Sequence, residues 1–123
     1  MKAPRRRSSS QLIKLVNLEE GMPTGNEARL RLDHELHRAR QEGLALLKLV
    51  HGYGSSGVGG ELRSAIQQSL AERVRAGQIR AFIAGEDWRV SDPQSWELLQ
   101  RRPELKRDKD LGRGNRGISI VVL

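Results

Sequence analysis

Three apolar runs, QLIKLVNLE (11–19), LALLKLV (44–50) and QIRAFIA (78–84), alternate with two stretches of helical periodicity, and a fourth run, ISIVVL (118–123), closes the chain. In the first helical stretch Thr24 and Glu27 form a capping box, Ala28, Leu32, Leu36 and Ala39 recur on one face, and Gly43 supplies the stop. In the second, Leu62, Ile66, Leu70 and Val74 make the stripe and Gly77 ends it. Strand–helix–strand units close by right-handed crossovers, which place both helices on the same side of a sheet. The order βαβαββ therefore predicts an α/β (α+β) two-layer sandwich: a mixed four-stranded sheet with helices 24–42 and 60–76 on one face. The β-branched run ISIVVL is expected in its interior.

Between the third and fourth strands the chain is irregular. Ser91, Pro93 and Gln94 predict a short helix whose inward side is Trp96 and Leu99, and the two tryptophans, Trp88 and Trp96, are expected to anchor this segment on the core. Period-two alternation places Ile13, Leu15, Leu47, Leu49, Ile79, Ala81, Ile118 and Ile120 toward the helices. Lys14, Lys48, Arg80 and Ser119 then fall on an open second face, three of them cations available to a partner.

At 123 residues the chain is one domain, and with no cysteine it has neither a disulfide framework nor a thiolate metal site. No apolar stretch is long enough to span a membrane, so a cytoplasmic protein is expected. The net charge of +7 favours a polyanionic partner, and nucleic acid, DNA or RNA, is the expected one. The basic side chains crowd toward the ends. Residues 1–10 read as a disordered basic tail ahead of a single domain at 11–123, and Arg113 and Arg116 sit in the glycine turn LGRGNRG.

The segment KLVHGYGSSGVGGEL (48–62) contains G-x-G-x-x-G at Gly52, Gly54 and Gly57. A dinucleotide fold needs this turn after its first strand and an acidic residue about 20 positions on, and neither holds. A Walker A loop needs Lys and Ser or Thr where Val58 and Gly59 stand. A glycine loop entering a helix can still hold an anion. Gly52, Gly54, Ser55, Ser56 and Gly57 are candidate phosphate contacts, and Tyr53 is a candidate base-stacking ring. His34 and His37 share a helix face but lack a third ligand, so no metal or other cofactor is expected.

The segments LVHGYGSSGVGGELRSAI and GRGNRGISIVVL resemble the His-Gly-x-Gly segment and the closing turn of the Smr (small MutS-related) domain family. The resemblance implies the initiation-factor-three C-terminal type of fold, strand order 1-2-4-3, with an insertion at about 86–112. It also implies nucleic-acid binding, or nicking or cleavage of DNA or RNA. His51, Gly52 and Gly54 match the family's second motif. Its first motif, Leu-Asp-x-His-Gly, reads VNLEEG here, with Asn17 and Glu19 where Asp and His are usual. Asn17, Glu19 and His51 are the candidate catalytic set, expected to gather at the carboxyl edge of the first two strands. Three readings follow: a nucleic-acid-binding domain, an active endonuclease, and a protein-interaction module using the open sheet face.

Overall fold

The computed structural model describes residues 13–53 and 59–123; the basic tail expected at 1–10 lies outside them. The elements are β1 (Ile13–Asn17), α1 (Gly25–Gln41), β2 (Leu46–Val50), α2 (Gly59–Arg75), β3 (Ala81–Ala84), α3 (Pro93–Arg101) and β4 (Ile118–Val122), with short 3-10 segments at Gly85–Asp87 and Pro103–Arg107. The sheet order is β1-β2-β4-β3, with β1 parallel to β2 and β4 antiparallel to both its neighbours. The closing run is interior, as its composition requires.

The local signals of α1 act as expected, and those of α3 in part. Thr24 Oγ1 accepts from the Glu27 backbone N–H at 3.2 Å while Glu27 Oε1 accepts from the Thr24 N–H, so the capping box starts α1. At the other end the Leu44 N–H donates to the Ala39 carbonyl across Gly43, whose φ of 69° only glycine adopts readily. In α3 the cap is Asp92 rather than Ser91: Pro93 occupies the first helical position, so the residue before it must cap, and the Asp92 carboxylate accepts from the Ser95 N–H. The inward side of α3 is accordingly Ser95, Leu98 and Leu99, and Trp96 is half exposed instead of anchoring the core.

Both main helices pack on one face of the sheet, over Val16, Leu18, Leu47, Leu49 and Val121. The second face is not open. The 85–111 segment folds over it, and Trp88, Leu98, Leu99 and Leu105 bury Leu46, Ile83 and Ile120 beneath a second core. This corrects the expected face assignments. With Val16 toward the helices, Lys14 lies on that side too, its Nζ 3.9 Å from Glu35 and 3.7 Å from Glu42 of α1. Leu15 points the other way. In β4, Ser119 and Val121 face the helices while Ile118 and Ile120 face the added layer, and Ala81 of β3 likewise lies on the added side. The physical reason is that β2 and β4, covered on both faces, have no polar–apolar alternation to reveal their register.

Lys48 does point into the second face, but it is buried there. Its Nζ bonds Asp108 Oδ1 at 2.6 Å and Asp110 Oδ2 at 2.7 Å. A buried ammonium needs such partners, and the covering segment supplies both.

Candidate nucleic-acid interface

The two glycine turns meet at the carboxyl edge of β1 and β2. Gly52 takes φ of 73°, and both the His51 and Gly52 N–H groups donate to the Gly117 carbonyl, at 2.9 and 3.1 Å. These two amides are therefore committed to the closing turn and do not face an incoming phosphate. A Cβ on Gly52 would meet Glu19 Oε2 at 2.6 Å, so the glycine admits the Glu19 side chain as well as the turn. Gly54, Ser55, Ser56 and Gly57 lie outside the described residues.

Asn17 and Glu19 do reach this edge together. The Asn17 side-chain oxygen accepts from the Glu19 N–H at 3.0 Å, an Asx turn that consumes the amide locally and aims the Glu19 carboxylate at Gly52. His51 goes elsewhere. Its ring is fully buried on the helix side, with Nδ1 2.7 Å from the Gly52 carbonyl and Nε2 2.9 Å from Ser119 Oγ. A carbonyl only accepts, so Nδ1 carries the proton, and in the neutral ring Nε2 accepts from the Ser119 hydroxyl.

Burial holds the His51 imidazole below its ordinary pKa; the Gly52 hydrogen bond and the charges of Glu19 and Glu86 pull upward, while Arg63 adds to the lowering. Since the folded value lies below the unfolded one, near 6.5, the unfolded chain binds more protons in between. Stability is thus intact above about pH 6.5 and lost as pH falls from there through the folded value. Urea unfolding of the wild type is expected to show a midpoint that drops as the pH falls below about 6.5, and His51→Gln should flatten that drop.

A cleft of about 330 Å³ opens beside the turns, on the side of the covering layer. Its lining brings Leu15 and Val50 together with Glu19, Gly52 and Tyr53 and with Lys109, Asp110, Asn115 and Gly117. Tyr53 is 57% exposed. Arg113 and Arg116, both exposed, belong to the same closing turn as Asn115 and Gly117. Arg63 is different: its guanidinium donates to Glu86 and to the Arg116 carbonyl, so it braces the turn. Arg80 lies away from the cleft, on the rim of a groove beside α3.

Behind the cleft runs a polar chain that the sequence reading did not include. Trp88 Nε1 donates to Asp108 Oδ2 at 2.9 Å, Lys48 joins Asp108 to Asp110, Asn115 Nδ2 donates to Asp110 Oδ1 at 3.1 Å, and the Gly117 N–H donates to Asn115 Oδ1 at 2.9 Å. Burial alone would raise the Asp110 pKa, but hydrogen bonds from Lys48 and Asn115 and the charges of Lys48 and Lys109 hold it below the ordinary range. One sequence signal pointed here: a lysine inside an apolar strand requires a carboxylate, and Asp108 and Asp110 flank a glycine turn. Among the described residues no group of His, Cys, Asp or Glu could hold a metal ion, and no helix is long and apolar enough to cross a membrane.

The protein-family model for the Smr domain matches residues 20–88, more than half of the chain, and the chain belongs to that family. The crystal structure of the Smr domain of Thermus thermophilus MutS2 is similar, at 28% identity and a TM-score of 0.54, covering 89% of this chain and 96% of that one. No curated protein matches the chain.

Proposed function

We propose that this Smr domain binds single-stranded nucleic acid in the cleft, with Tyr53 stacking on an unpaired base and Lys109, Arg113 and Arg116 neutralising the flanking phosphates. The observation that carries the reading is the exposed Tyr53 ring on a glycine turn, beside a cationic closing turn that is fixed from behind. An aromatic platform in a basic groove is what unpaired bases need, and every base offers a stacking face. Net charge and family membership agree with this.

Cleavage fits the geometry less well. General acid–base work requires a group within hydrogen-bond reach of the reacting oxygen. The His51 ring is buried, neutral and engaged at both nitrogens, and the Asn17 side-chain oxygen is occupied by its own turn. Two carboxylates line the cleft: Asp110 is held by Lys48 and Asn115, and Glu19, with no such cation beside it, would as an ionised group repel phosphate.

Two substitutions separate the readings. Tyr53→Ala should weaken binding of oligothymidylate by about 1–3 kcal/mol, the worth of one stacked base. Glu19→Gln should tighten it by about 2- to 5-fold, the scale of one exposed charge contact. A Glu19→Gln protein that binds no better, while a cleavage activity present in the wild type disappears, would instead establish the endonuclease.

A further inference from the structure

A second groove, of about 560 Å³, lies at the opposite end of the sheet between α3 and the strand edge. Its size is within the range of ligand clefts, about 300–1,000 Å³. The half-buried side chains of Ala45, Ala81, Val122 and Leu123 give it an apolar floor, and Arg80 and Arg102 stand on its rim. Arg101 is engaged with Glu97 at 2.9 Å across one turn of α3. Among the described residues Arg80 and Arg102 have no ion-pair partner. Among the described residues no aromatic ring lines the groove, so it lacks the platform that Tyr53 gives the first cleft. Beside it runs β3, which pairs only with β4 in the sheet.

We propose that this groove docks an acidic, extended segment of a partner protein. Apolar side chains of the segment rest on the Ala81–Val122–Leu123 floor and its carboxylates reach Arg80 and Arg102. Alternation of apolar and acidic residues suits the site because successive side chains of an extended chain point to opposite sides. An outer strand whose second edge pairs with no strand among the described residues supplies a template along which such a segment can lie. The apolar floor favours a ligand that also carries apolar groups, and the unpaired arginines favour a negative one. Partner and nucleic acid would then occupy opposite ends of the domain.

The test uses the full chain with methyl groups labelled for NMR. The probe is a short acetylated, amidated peptide alternating Asp and Leu; a Lys–Leu peptide of the same length and oligothymidylate are the comparisons. The Asp–Leu peptide is expected to shift the Ala81, Val122 and Leu123 methyl signals in a saturable way, and the Lys–Leu peptide to leave them in place. R80E/R102E should lower that affinity by about 10-fold or more, two contacts being replaced by repulsion, and R80Q/R102Q provides the same reading should the first variant unfold. Oligothymidylate should leave the groove methyls unmoved. The proposal is overturned by absence of saturable shifts, by equal response to both peptides, by oligothymidylate moving the groove signals, or by undiminished affinity in both folded variants.

Discussion

Lys48→Met is expected to lower the unfolding free energy by about 3–5 kcal/mol, the usual loss when one partner of a buried ionic group is removed. The Lys48 side chain is only 6% exposed and those of Asp108 and Asp110 11% and 12%, so water cannot replace the missing ammonium. The methionine fills the space of the aliphatic stem, which isolates the electrostatic loss from a packing loss. Two carboxylates then face each other with little compensation, and the covering layer is the part that separates. Because Trp88 Nε1 donates to Asp108, its environment should report the change along with global unfolding by circular dichroism in urea. Adding Asp108→Asn and Asp110→Asn to Lys48→Met should restore much of the stability, since neutral amides carry no repulsion. A single variant as stable as the wild type would show that Lys48 is not the tie between the layers.

Gly85→Ala is expected to be at least as damaging, at about 3 kcal/mol or more and a melting temperature lower by at least about 10 °C. The added Cβ would lie 1.8 Å from the Asn115 carbonyl oxygen, 2.7 Å from Ile118 Cγ1 and 2.8 Å from the Ile118 carbonyl oxygen. Two of those three atoms are backbone, so no rotamer change relieves the overlap. The end of β3 must move away from the closing turn, and that turn carries Asn115, Arg116 and Gly117. Stability and nucleic-acid affinity should fall together in this variant. In Tyr53→Ala, by contrast, affinity should fall with little change in melting temperature, because the ring is mostly exposed.

These two positions also mark where sequence reasoning ended. The two main helices, the α1 capping box, the glycine stops and the interior place of β4 were legible because each rests on local periodicity and turn chemistry; the α3 cap falls at Asp92, one residue past the expected Ser91. The face of each strand was not. Lys14 and Ser119 turn toward the helices and Ile120 away from them, since the layer formed by residues 85–111 buries the second face and removes the alternation that would have fixed register. For the site, the residue types of Tyr53, Arg113 and Arg116 marked them as candidates in the sequence, but the commitment of the Gly52 amide to the Gly117 carbonyl could not be read there. That His51 points into the helix layer to bond Ser119 depends on a register that one residue of slip inverts. Gly85 was invisible for a further reason: its φ is ordinary, and its need for glycine arises from a backbone some 30 residues further along.

The central claim, that the cleft and the closing turn grip phosphates, is tested most directly by the salt dependence of oligothymidylate binding in the wild type and in Lys109→Gln/Arg113→Gln/Arg116→Gln. For single strands the slope of log affinity against log salt is about −0.7 per neutralised phosphate. Removing three contacts should therefore make the slope shallower by about 2. A wild type with no measurable affinity at low salt, or a folded triple variant whose slope equals that of the wild type, would contradict the account.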